Sequence, residues 1–118
     1  MKTEFTAFRI AEGKEVLAME WMNTLKKRKS ECIETLDREK MIYEAIFSFK
    51  EGGRLFLSWF SVQKESPEDV ESSEHEIDKV HLKYWEECID RSYMPRDHMH
   101  LVSFMPHEVN ECIEQLYL

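Results

Sequence analysis

The amino-acid sequence predicts an α+β fold whose strand and helix patterns run β-α-β-β-α-β and close on a further helix. Three observations carry that expectation. An alternating segment, "TEFTAFRI" (residues 3–10), precedes a long stretch of helical period. A glycine pair separates two alternating runs in "YEAIFSFKEGGRLFLSWFSVQ" (43–63), the pattern of a β-hairpin. A second helical stretch leads to another strand-like segment, "HMHLVSFM", before an amphipathic end.

In "TEFTAFRI" the alternation sends Thr6, Phe8 and Ile10 to one face and Phe5, Ala7 and Arg9 to the other. Gly13 breaks it, and "KEVLAMEWMNTLKKRKSECIETLDREK" takes a helical period. Leu17, Trp21, Leu25, Cys32 and Leu36 recur at spacings of four or seven, apart from a polar gap at Arg28. Taking Gly52-Gly53 as a two-residue turn pairs Glu51 with Arg54 across the hairpin. That register gathers Tyr43, Ala45, Phe47, Phe49, Phe56, Ser58, Phe60 and Val62 on one face, which is expected to cover the helices. Glu44, Ile46, Ser48, Leu55, Leu57, Trp59 and Ser61 share the other face, which is expected to need a second chain or a ligand.

Residues 64–76, "KESPEDVESSEHE", have linker composition, and Ser73 with Glu76 matches a capping box opening a helix. That helix, to about Arg91, buries Ile77, Val80, His81, Tyr84, Trp85 and Cys88; "SYMPRD" ends it. "HMHLVSFM" supplies a fourth strand, and "PHEVNECIEQL" a terminal helix with Pro106 at its first position. The order is the split βαβ, or ferredoxin-like, arrangement: one domain over 1–118, a four-stranded antiparallel sheet, and helices on one face.

Composition bounds the function. A hydrophobic fraction of 42% with 12% aromatic residues supplies a core. A net charge of −8 argues against nucleic acid as a partner, because phosphates would be repelled over most of the surface. Cys32, Cys88 and Cys112 form no C-x-x-C pair and lie in helical patterns, as buried thiols of a reduced, cytoplasmic protein would. The first ten residues lack the apolar core of a signal peptide, and no apolar run is long enough to span a membrane.

"YEAIFSF", "RLFLSWFSV", the "HLKYWEECID" helix and the closing "EQLYL" together resemble the dimeric α+β barrel proteins. The likeness is greatest to small uncharacterised bacterial members and more distant to rhamnose mutarotases and antibiotic-biosynthesis-type monooxygenases. The resemblance implies two sheets packed face to face in a homodimer, with a pocket between sheet and helices or inside the barrel. Mutarotases carry a catalytic histidine in their first helix; here that helix has none.

The residues themselves offer a limited set of chemistries. Arg9, Glu44, Trp59 and Ser61 would all line the open sheet face, holding a polar ligand stacked on the indole or pairing at a dimer interface. His81 lies on an apolar stripe beside Tyr84 and Trp85 and is the best acid–base candidate, with a hydrogen-bonded core histidine as the plainer reading. His98 and His100 form an H-x-H pair that His107 or Glu108 could extend, but no third ligand follows at a standard distance, so no metal is expected. "KKRK" (26–29), flanked by acids, reads as solvated surface. With no phosphate loop, nucleophile elbow or dinucleotide fingerprint, no cofactor is expected either. The expected function is binding of a small apolar or aromatic molecule by a homodimer. The alternatives are a cofactor-independent monooxygenase or isomerase and a ligand-free homodimeric interaction module.

Overall fold

The alternating and helical patterns become eight elements in the computed structural model, which describes residues 1–64 and 75–117. They are β1 (Lys2–Arg9), α1 (Glu15–Lys27), α2 (Lys29–Glu39), β2 (Met41–Glu51), β3 (Arg54–Gln63), α3 (Glu76–Cys88), β4 (Arg96–Asp97) and α4 (His107–Gln115). The sheet order is β2-β3-β1-β4, and every neighbouring pair is antiparallel. β1 and β2 therefore run parallel with β3 between them, the split βαβ topology expected from the element order.

The hairpin register is the one its turn dictates. Gly52 and Gly53 both hold positive φ, 59° and 74°, as a two-residue primed turn requires, and Glu51 faces Arg54. The expected single helix from Gly13 to the hairpin is instead two. Arg28, at φ −104° and ψ 31°, leaves helical geometry, and its carbonyl accepts the Glu31 and Cys32 amides that start α2. The polar gap in the apolar period falls at this break.

The two faces of the hairpin are the reverse of those expected. The helix-covered core is built from Ile10, Ala18, Trp21, Leu55, Leu57, Cys88 and Ile89, with Phe8, Ile46, Trp59 and Trp85 packed against it. Leu55, Leu57, Trp59 and Ile46 thus face the helices. Tyr43 and Phe47, each 53% exposed, lie on the uncovered face. The phenylalanine-rich side looked like the better core face, yet the branched aliphatics and the indoles interdigitate with α1 and α3. On the uncovered face Phe5, Tyr43, Phe47 and Phe60 form an aromatic sheet of edge-to-face contacts 5.9–6.4 Å apart.

Three boundary expectations also change. Ser73, half of the expected capping box, lies outside the described residues, as does most of the expected linker. His75 occupies the cap position instead, its Nδ1 accepting the Ile77 amide at 3.4 Å. α3 stops at Cys88, short of Arg91, because Ile89 turns extended and bridges Ile10. "HMHLVSFM" is not a strand. β4 ends at Asp97, the His98 amide reaches the Phe5 carbonyl at 2.8 Å, and residues 99–105 then make no backbone hydrogen bond among the described residues. Pro106 precedes α4 as its cap rather than occupying its first turn.

Candidate functional site

A cleft opens between α1, α2 and α3 and the helix-side face of the sheet. Two adjoining recesses, of about 410 and 210 Å³, share Leu25, Lys29, Cys32 and Glu44. The larger is lined by Met19, Met22, Ile46 and Leu57 among others; the smaller sets Thr35, Glu39, Asp78 and His81 among Leu25, Ile33, Leu36 and Ile77. Helical spacing builds the polar end. Cys32, Thr35, Leu36 and Glu39 recur every three or four residues along one stripe of α2, and Asp78 and His81 lie three apart on α3. Glu44 reaches the cleft from β2, opposite Ser61 in the register.

Electrostatics distinguishes the polar groups. Asp78 is nearly buried and fixed by Arg38, Nη2 to Oδ2 at 2.5 Å. Glu39 is 5% exposed, and burial, reinforced by the charges of Asp78 and Glu44, pushes its carboxyl up to about 7. Glu44 sits at the cleft mouth, where crowding by protein and then the Asp78 charge raise its carboxyl as well. Burial, then the charge of Glu44, raises the Cys32 thiol and keeps it protonated.

His81 is set by its neighbour. Burial lowers it to about 4, so the ring is neutral at physiological pH. Trp21 Nε1–H donates to His81 Nδ1 at 3.0 Å, and an indole can only donate. Nδ1 therefore carries the lone pair and Nε2 carries the proton. The ring is thereby a neutral hydrogen-bond donor through Nε2. The polar end thus combines a carboxyl that gains and loses its proton near neutrality with a neutral donor.

The residues expected to line one site are divided between two faces. Glu44, Trp59 and Ser61 lie on the helix side. Arg9 lies on the uncovered side, bonded through Nε and Nη2 to Asp90 at 3.0 and 2.8 Å, with its guanidinium 4.2 Å over the Tyr93 ring. Hydrogen bonds from Ser92 and Arg9 hold the Asp90 carboxyl well below the usual carboxylate range. Ser61 is buried and accepts from Gln63 at 3.1 Å. Trp59 and Trp85 are core, with ring centres 5.1 Å apart and Trp59 5.3 Å from the fully buried Trp21. Tyr84 stacks on Trp21 and donates to Glu20. Of that group only Glu44 and His81 line the cleft.

Glu39, Asp78 and Thr35 were missed. Glu39 had a signal: it extends the Cys32–Leu36 stripe by one step, where a carboxylate is out of place. His98 stacks on Phe5 at 4.5 Å, and His100 bonds Ser103. Among the described residues no group of three or more His, Cys, Asp or Glu side chains stands close enough to hold a metal ion. Cys112, expected to be buried, is exposed because α4 buries no side chain. Within "KKRK", Arg28 pairs with Glu31 and the lysines are solvated, apart from the cleft contacts of Lys26 and Lys29. No helix among the described residues is long and apolar enough to cross a membrane.

A four-stranded antiparallel sheet in the order β2-β3-β1-β4, with helices on one face and a recess between the layers, is the ferredoxin-like architecture. The chain belongs to a family of unknown function (DUF6176), whose model matches residues 1–111. It shares its fold with the crystal structure of L-rhamnose mutarotase FA22100 from Formosa agariphila. That likeness has a TM-score of 0.50 at 16% identity and covers 90% of this chain and 100% of the mutarotase. No curated protein matches the sequence.

Proposed function

We propose that the chain acts as a homodimer joined through its uncovered sheet face, each protomer holding a small apolar or aromatic molecule in the cleft between sheet and helices. The observation that carries the ligand reading is the cleft's smaller recess, where Glu39, Glu44 and His81 stand among apolar side chains. Its size is within the range of small-molecule sites, which run about 300–1,000 Å³. The ligand that fits has an apolar or aromatic body and a hydroxyl or carbonyl to meet the Glu39 carboxyl and the His81 donor.

Exposed aromatic surface supports the dimer: on the uncovered face Tyr43 and Phe47 are each 53% exposed and Phe49 38%. The charges on the uncovered face are paired: Arg9 and Arg54 share Asp90, and Arg96 pairs with Glu51.

Two measurements test the reading. Light scattering of the purified protein should give about twice 14.2 kDa, and Phe47→Glu should give the monomer. A wild-type monomer at micromolar concentration would sink the dimer. For the ligand, titration with simple phenols and indoles should shift the melting temperature of the wild type but not of Cys32→Trp, which fills the cleft. Equal responses from the two proteins would remove the cleft as the binding site; a dimer that binds none of the probes would favour the interaction module.

One observation favours a second reading, a cofactor-independent isomerase. Glu39 beside a fixed donor can take up a proton and return it near neutral pH. In that case Glu39→Gln abolishes turnover while probe binding persists.

A further inference from the structure

The smaller recess of the cleft is rich in acceptors and short of donors. Glu39, Glu44 and Asp78 all line it, and among the described residues only Asp78 has a cationic partner, Arg38. Glu39 is only 5% exposed, yet it lines the recess and no N–H bonds its carboxyl among the described residues. The Thr35 hydroxyl stands beside it but donates its single proton to the Cys32 carbonyl at 2.7 Å. The remaining groups around Glu39 leave it without a counter-charge. Asp78 on α3 and Glu44 on β2 carry its own sign, His81 is neutral, and Arg38, which draws it the other way, is bonded to Asp78. Lys29, on the same helix, is exposed and forms no ion pair among the described residues. A buried carboxyl in such a place must keep a proton or receive a cation that brings its own donors.

We propose that the molecule held in the cleft carries a protonated amine, bound by Glu39 and Glu44, with its apolar or aromatic body against Met22, Ile46 and Leu57. The inference rests on the ligand reading above and gives that ligand a charge, leaving a hydroxyl or carbonyl on the same body for His81. An ammonium group offers three donors and accepts none, so it serves both unpaired carboxyls at once. Glu44 lines both recesses, which sets the charged end directly beside the apolar one and suits a short linker between amine and body. The same count of charges excludes a carboxylate or phosphate ligand, which would meet three carboxyls and one exposed lysine. The proton balance is simple. As the ammonium enters, Glu39 releases its proton to solvent, and the recess exchanges one positive charge for another.

Titration calorimetry on the full chain tests this with three probes of one shape: 2-phenylethylamine, 2-phenylethanol and phenylacetate. At about pH 8 the wild type should bind the amine at least about tenfold more tightly than the alcohol, and phenylacetate more weakly than either. With the Glu39 carboxyl at about 7, amine affinity should rise about fiftyfold from pH 5 to pH 7 while alcohol affinity stays level. Buffers of different ionisation enthalpy should report the released proton over that range. Glu39→Gln should bring the amine down to the affinity of the alcohol, remove the proton release and leave alcohol binding within about twofold. Equal binding of amine and alcohol by the wild type, or an amine preference that survives Glu39→Gln, overturns the amine and leaves the cleft standing as a site for neutral ligands. Amine binding that persists in Cys32→Trp also overturns it, since the acidic surface of a chain with net charge −8 then accounts for the binding. A wild type that binds none of the three overturns both readings.

Discussion

Glu39 and His81 pull the pH dependence of stability in opposite directions. The folded-state value of Glu39, about 7, lies above its ordinary 4.5, so its favourable contribution is complete below pH 4.5 and is lost as pH rises to about 7. For His81 the folded value, about 4, lies below 6.5; its contribution is complete above pH 6.5 and is lost as pH falls toward 4. Ionising Glu39 costs on the order of 3 kcal/mol at the alkaline end. Glu39→Gln should therefore stabilise the protein at pH 8 by one to a few kcal/mol and change little at pH 4.5. Urea melts at the two pH values measure this, and an equal effect at both would show that Glu39 is not held protonated by its surroundings. His81 was legible in the sequence as a histidine on an apolar stripe. Its role as donor was not, because that depends on Trp21, sixty positions away, taking Nδ1.

The elements show what alternation can and cannot specify. The hairpin register was readable because Gly-Gly permits only a narrow set of turns, and the pairs from Glu51 and Arg54 out to Tyr43 and Val62 follow, before a bulge shifts Met41 onto Gln63. Its facing was not, because both sides carry large apolar groups. Which side meets the helices depends on the hand of the β1–β2 crossover and on how the indoles mesh with α1 and α3. Trp59 accordingly belongs to the core, and Trp59→Ala should cost roughly 3–5 kcal/mol in chemical denaturation with the subunit mass unchanged. A loss of the dimer without a loss of stability would return Trp59 to an interface. At the end of α2, Lys40 holds the left-handed conformation at φ 53°, which glycine adopts without strain. Lys40→Gly should stabilise by about 0.5–1 kcal/mol in thermal melts, and a destabilised variant would show that the lysine side chain makes contacts outweighing its backbone strain. The segment 98–105 alternates too weakly to fix a strand alone, which is why the sequence pattern and the single chain disagree there.

At the scale of the whole molecule the chain is loosely closed. Its radius of gyration is 15.4 Å, against about 13.5 Å for a compact domain of this length. In the proposed dimer the open sheet face ties stability to assembly. The melting temperature should rise with protein concentration over about a hundredfold range, because association draws the folded state forward. A concentration-independent value, measured by calorimetry, would mean the monomer is self-sufficient. Element order and topology were legible from periodicity and turns, since those are local. The cleft was only partly legible, because it is assembled from α1, α2, α3 and β2 and its chemistry arises from mutual burial of carboxyls far apart in sequence.

The anchoring of the segment between β4 and α4 has a kinetic consequence. Ahead of β4, Asp90 gathers Arg9, Arg54 and Ser92, and at the segment's own start His98 bonds and stacks on Phe5. At its far end, Lys64 holds the carbonyls of Ile113 and Glu114, and Tyr117 holds Met41. A ribbon clamped at both ends has already surrendered most of the freedom that binding would otherwise remove. Docking against it should then be limited by encounter rather than by folding, and subunits mixed from two labelled pools should exchange without first unfolding.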